Sequence, residues 1–301
     1  ENGYLFLGGT PESAALMEEL ASMQRGFGAL TAVLSPAELK ARYPWMSLED
    51  VTAGSLGLRD EGWFDNMGLL SGFRNGARAR GAIYVKDRVE AILVEDCRVT
   101  GVRLTSGAIH GAGQVLLAAG TGVTPLLATI GAEWPVEPRK RTVFVIDAPN
   151  ARHPDAPLII DHTGVYLRPE HGAWITATVP DDDGPCGPDD WEPDHAQFDD
   201  MIWPRLYNRA EGFDAVKVQR FWVGHYDFNR LDQNAILGPH PDFAGLFLAS
   251  GFSGHGLQQA PAVGRGLAEI MLTGAWQTLD LSPLGVGRVL KGEPFLERAV
   301  V

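Results

Sequence analysis

The 301-residue sequence has only two cysteines, Cys97 and Cys186, and neither sits in a CxxC pair. That excludes a disulfide framework of the kind that holds small secreted domains together. A clustered basic face is lacking too. The one basic run, Arg139-Lys140-Arg141, is too short to follow a phosphate backbone, so nucleic acid is not an expected partner. No apolar run is long enough to span a membrane: Gly111 to Ala132 is uncharged but is broken by Gly120, Gly122 and Pro125. His153, His162 and His171 recur at nine-residue spacing, which is no metal-ligand spacing, and no metal is expected. Neither GxGxxG opening a helix nor GxxxxGK[ST] occurs. A signal peptide and an initiator Met are also absent, and Glu1 runs almost directly into the strand-like Tyr4-Leu5-Phe6-Leu7. The expectation is a cytoplasmic protein whose N-terminus has been cut.

What is present is an ordinary globular composition, 45% hydrophobic and 21% charged, on a chain long enough for two lobes. The net charge of −13 is uneven. Nine acidic residues lie between Asp181 and Asp200 with no Lys or Arg, so without them the net charge is −4. This reads as one acidic surface insert. Apolar spacing predicts helices over Pro11–Gln24, from Pro36 to before Pro44, over Asn66–Arg80 with Gly81 as its stop, near His195–Glu211, and over Leu257–Thr273. Short strands are predicted at Ala82–Lys86, Val89–Glu95, Gly101–Thr105, Gln114–Ala119, Thr142–Ile146, Leu158–Ile160, Gly164–Arg168, Trp174–Thr178, Val216–His225 and Leu246–Ala249. Phe221 and Trp222 are expected in the core. Strands and helices mix without strict alternation, so the class is α+β with an α/β portion.

The most informative segment is Leu246 to Ile270, an apolar strand, a turn with three glycines, and a helix. Glycines there let the backbone approach a ligand, and the free N–H groups of a helix start favour negative charge. A turn that touches no ligand satisfies the same pattern. A serine-hydrolase elbow does not, because G-x-S-x-G would need glycine where His255 stands.

Ala249-Ser250-Gly251-Phe252-Ser253-Gly254-His255-Gly256 resembles the C-terminal flavin-binding loop of the D-amino-acid-oxidase superfamily. Val115-Leu116-Leu117-Ala118-Ala119-Gly120 is similar to a later strand of its FAD domain, and Lys86-Asp87-Arg88-Val89 to the segment whose backbone meets adenine. Phe221 to Asn229, Asp232-Gln233-Asn234, Gly238-Pro239-His240-Pro241 and Gly256 to Pro261 extend the likeness along the chain. They are similar to a branch that includes a mitochondrial protein of respiratory complex I assembly and its bacterial relatives.

The resemblance implies an incomplete FAD-binding (glutathione-reductase-like) domain interleaved with an antiparallel-sheet substrate domain. Residues 1–62 and 131–235 would form the substrate domain, and 63–130 and 236–301 the FAD domain. The initial βαβ unit of the family, with its GxGxxG, is not found. The implied cofactor is FAD, held by Val89, Ala119, Gly120, Gly251, Phe252, Ser253, Gly254, His255, Gly256, Leu257 and Gln258. The implied activity is oxidation of a C–N bond in an amino acid or a secondary or tertiary amine. An electron-acceptor protein or a second copy of the chain is the implied partner. Arg168 and Tyr166 are the candidate substrate residues, because a guanidinium fork matches a carboxylate; a solvated strand-end Arg is the alternative. His225 falls where sarcosine oxidases attach flavin through Cys, and it too is a site candidate. Gln258 replaces their carboxylate-binding Lys, and Thr178 stands at their active-site His. These departures remove support for sarcosine specificity and leave open a flavoprotein-like assembly or scaffold factor without turnover.

Overall fold

The computed structural model describes residues 1–296. Its strands are β1 (Tyr4–Gly8), β2 (Thr31–Leu34), β3 (Ala53–Gly57), β4 (Val89–Glu95), β5 (Arg98–Leu104), β6 (Ile109–Gly111), β7 (Val115–Leu117), β8 (Val136–Asp147), β9 (Leu158–Ile160), β10 (Tyr166–Glu170), β11 (Ala173–Ala177), β12 (Lys217–Asn229), β13 (Ile236–Pro239) and β14 (Leu246–Ser250). Its helices are α1 (Pro11–Gly26), α2 (Pro36–Arg42), α3 (Asn66–Ala79), α4 (Val123–Ala128), α5 (Trp203–Arg209), α6 (Gly256–Thr273) and α7 (Val286–Lys291). No described helix is long and apolar enough to cross a membrane.

Local chemistry sets the helix starts. Thr10 and Ser13 cap α1 reciprocally, Ser35 and Glu38 do the same for α2, and both helices carry Pro in the first turn. Each device satisfies N–H groups that a helix start leaves unpaired.

The eight-stranded sheet runs β12-β8-β11-β10-β9-β1-β3-β2. It is mixed, not purely antiparallel as expected, because β1 pairs with β9 in parallel. Alternation gives it two unlike faces. Leu5, Phe144, Ile146, Ile159, Leu167 and Trp174 point to one side and form a dry core with α2, α5 and the turn of π-helix at Gln197–Ile202. Near its rim Arg209, 4% exposed, is held by Asp161 and Asp50. The other side carries Tyr4, Tyr166, Arg168, Arg139, Arg141 and Tyr226. β8 is far longer than the predicted Thr142–Ile146 and includes the whole basic run. Pro138 fits there because its lower half pairs only with β12, at the sheet's margin. Phe221 and Trp222 are 44% and 45% exposed, not core, since β12 is the outermost strand.

A second lobe has the β13-β14-β7 sheet, the β4-β5-β6 meander and their own apolar clusters, around Leu117, Leu127 and Leu248 and around Leu237, Val263 and Leu267. Two expectations meet a different outcome. The helix predicted over Asn66–Arg80 forms as α3, Asn66–Ala79, yet none of its residues is buried, and Met67, Leu70 and Phe73 are exposed. The predicted strand Ala82–Lys86 is not formed, and Ile83 is 90% exposed. A strand needs a neighbour for its backbone groups, and no described strand lies alongside this one.

Candidate functional site

The glycine-rich turn is built by its neighbours. β14 delivers the chain buried as far as Ser250 and Gly251. Gly251 has φ +70°, and a Cβ there would lie 3.0 Å from Asn229 and from Val136. Gly254 has φ +95° and would drive a Cβ to 2.6 Å from the Tyr226 ring. Ser253 also adopts positive φ, at 51°. Its hydroxyl accepts the Asn229 N–H at 3.0 Å and donates to the Gly251 carbonyl at 3.3 Å, so it is spent on backbone and is no nucleophile. Asp227 ties the turn to β12, its carboxylate accepting the Gly251 N–H at 2.8 Å. Burial pushes the Asp227 carboxyl up, against the opposing pull of N–H groups from Phe252, Gly251 and Ser253. Sequence reasoning missed this residue, whose partners lie 24 positions away.

Helix α6 then begins without any side-chain cap, and the first turn of its 18 residues borders a groove of about 590 Å³. The groove joins two segments distant in sequence, Ala118–Thr121 after β7 and Phe252, Gly256, Ala260 and Gly264 on the turn and α6. His225, Asp227 and Trp191 close it from the β12 side.

Trp191 arrives on the acidic segment after β11, which is a strap and not a freely solvated insert. Asp183 takes Arg141 in a two-point pair at 2.6 and 2.8 Å and also binds Arg139. The Cys186 N–H donates to the Pro138 carbonyl at 2.9 Å as the strap crosses the β8 margin. Beyond the margin Asp190 meets Lys140 at 2.9 Å, and Trp191 stacks on His225 with ring centroids 4.1 Å apart. His225 Nε2 is 2.7 Å from the Asp190 carbonyl. The strap thus touches both faces of the β8–β12 ribbon. Burial opposes ionisation of Asp183, but Arg141 and Arg139 outweigh it and hold the carboxyl below its ordinary range.

The structure brings Ala119, Gly120, Phe252, Gly256 and His225 to the groove, with Gly251, Ser253, Gly254 and His255 in the turn beside it and Leu257 and Gln258 on the first turn of α6. Val89 is set apart, half-buried at the start of β4 and paired with Leu104. Tyr166 sits on the polar sheet face. Burial pushes its phenol well up, Tyr226 adds to that, and Arg141 and Arg168 oppose it. Arg168 shares this face, but its guanidinium is paired with Glu170 and lies over the Trp63 ring at 5.2 Å. Thr178 is buried, its hydroxyl donating to the Gly164 carbonyl at 3.2 Å. His153 stacks on Trp45 and His162 meets Asp50. No metal-holding cluster occurs among the described residues.

FAD fits this donor set. A flat ring with a pyrophosphate tail needs a slot without bulky side chains, and Ala118, Ala119, Gly120, Ala260 and Gly264 provide one. The uncapped start of α6 provides N–H groups for an anionic edge.

Comparison with known proteins gives the same cofactor. A family profile described as FAD dependent oxidoreductase (DAO) matches residues 1–270. The chain is similar to FAD-dependent oxidoreductase domain-containing protein 1 of Bos taurus, at 36% identity over 100% of the chain and 68% of the relative. To the protein of that name from Xenopus laevis it is 38% identical, over 100% of the chain and 66% of the relative. The chain therefore spans about two thirds of the length of these relatives. Among solved structures it is similar to L-proline dehydrogenase from P. horikoshii, with a TM-score of 0.86, 26% identity, and coverage of 97% of this chain and 77% of that one.

Proposed function

We propose, for a chain that by these matches belongs to the DAO family of FAD-dependent oxidoreductases, that it oxidises a C–N bond of an amino acid or of a secondary or tertiary amine. FAD, when bound, supplies the hydride acceptor that turns the C–N single bond into C=N, and water then hydrolyses that product. The chain's own residues bind and orient. The Gly251–Gly256 turn and the start of α6 present N–H groups to the ring, and Asp227 fixes the turn. His225 would line the groove that holds the ring, on its β12 side. Tyr166 and Arg168 face the substrate from the polar side of the large sheet. The observation that carries the reading is the groove, which unites the two segments that separately resemble flavin-binding elements and leaves a helix start uncapped beside them.

We further propose that residues 1–62 and 131–235 act as the substrate domain and 63–130 and 236–301 as part of the FAD domain. The core of the large sheet, drawn wholly from 1–62 and 131–235, supports that division. A dinucleotide-binding βαβ unit packed on α3 and beside 82–86 would cover Leu70, Phe73 and Ile83 and complete the domain. A catalytically silent assembly factor is the second reading. It is favoured by Thr178, whose hydroxyl is committed to backbone where sarcosine oxidases carry a histidine.

The test is spectroscopic. The protein carrying its complete flavin-binding unit purifies yellow, and an amino acid or N-alkyl amine bleaches the flavin band anaerobically. A yellow protein that no member of a broad amine panel bleaches establishes the silent reading. A colourless protein that ignores added FAD removes both.

A further inference from the structure

We infer that Asp227 sets how strongly the bound flavin holds electrons, as the negative charge in the wall of the groove that opposes the anionic reduced ring. Asp227 has this effect only where that groove seats the flavin, as proposed above. It is the only carboxylate among the described residues that line the groove, and no Lys or Arg lines it. Its side chain is half-buried, and among the described residues the groups that favour its ionised form are backbone N–H donors, not cations. The carboxylates of the strap are matched, Asp190 by Lys140 and Asp183 by Arg141 and Arg139. A carboxylate in a groove without a counter-charge costs free energy that a neutral acceptor does not. An asparagine could take the Gly251 N–H through its side-chain carbonyl, so holding the turn does not account for the charge.

The signs add up in one direction. The uncapped start of α6 is the groove's source of positive potential, equivalent to roughly half an elementary charge. Gln258, on the first turn of that helix, adds no cation. Asp227 carries a full negative charge and reaches the same turn. Its side chain accepts the Gly251 N–H at 2.8 Å, and its main-chain carbonyl accepts the Ser253 N–H at 3.2 Å. Two donors of the turn are thereby spent inside the protein and not on a ligand. The balance at the groove wall is negative. Two-electron reduction leaves an extra negative charge on a flavin ring, and a carboxylate beside it opposes that charge; the oxidised ring is neutral and feels it far less. Asp227 therefore lowers the midpoint potential and makes the reduced ring a readier electron donor. It acts through space and through the turn, as a positioning residue.

Potentiometry on the FAD-loaded protein tests this without relying on turnover. Asp227→Asn keeps an acceptor for Gly251 and removes the charge. Its midpoint potential rises by about 30 mV, the equivalent of a tenfold change for a two-electron couple. Sulfite, whose lone pair adds to the oxidised ring and leaves it anionic, binds Asp227→Asn about tenfold more tightly than wild type. Asp227→Glu keeps the charge, and both values stay near those of the wild type. Asp227→Ser, also neutral, gives the same two signs where the asparagine variant does not hold flavin. A purely structural Asp227 gives another pattern: the variants lose FAD or stability, while the potential of the flavin that stays bound is unchanged. That pattern overturns the inference, as does a potential that falls in Asp227→Asn. A protein that takes up no FAD sinks the cofactor reading and the inference together, whereas one that binds FAD and shows no shift sinks the inference alone.

Discussion

The two lobes answer the same physical demand differently. In the large-sheet lobe the inward apolar strand positions pack into one core, and Phe144, Ile159 and Leu167 are at most 1% exposed. Helix α3 has an equally regular apolar pattern, yet Met67, Leu70 and Phe73 remain 55–61% exposed. Periodicity makes a helix, but only a neighbouring surface turns the apolar stripe into stability.

The sharpest way to break this contrast is a matched pair of truncations in the 301-residue chain. Phe144→Ala removes a fully packed ring and costs about 3–5 kcal/mol in urea unfolding. Phe73→Ala changes stability by no more than about 0.5 kcal/mol, as expected of an exposed position. Equal costs would mean that α3 is packed and that the lobes do not differ. A smaller effect comes from Gly254→Ala. It sets a Cβ against Tyr226 at φ +95° and costs about 1–3 kcal/mol of local strain. The loss shows in FAD content before it shows in the melting of the large-sheet lobe. The smallest is a pH effect inside the well-packed lobe. Asp50 is pulled down to about 2, chiefly by its hydrogen bond from Arg209. A depressed carboxyl stabilises fully above its unfolded value, about 3.9, and loses that contribution as pH falls toward 2. Asp50→Asn therefore flattens the acid limb of the stability profile below about pH 4 and leaves the neutral region sloped as before.

Much of the frame was legible in the sequence where the determinants are local. The starts of α1, α2 and α3 are written in Thr10, Ser35 and Asp65 and the residues after them. The strand–turn–helix around Gly251–Gly256 is legible for the same reason. β8 was only half visible, because Pro138 and three consecutive basic residues look like a loop until Asp183 and Asp190 neutralise them from 42 and 50 positions away. Ala82–Lys86 was over-read, since β-propensity cannot reveal whether a neighbouring strand exists. The Arg141–Asp183 pair and the role of Asp227 depend on which strands become neighbours, and spacing carries no trace of that.

The strap has a mechanical consequence. It is one short piece of chain gripping opposite sides of a two-stranded ribbon, at Asp183 on the tyrosine side and at Trp191 on the groove side. Between these grips the Cys186 N–H donates to the Pro138 carbonyl and holds the strap against the β8 margin. The strap therefore crosses the ribbon's edge fixed at three points, and a load applied at one is borne by all three.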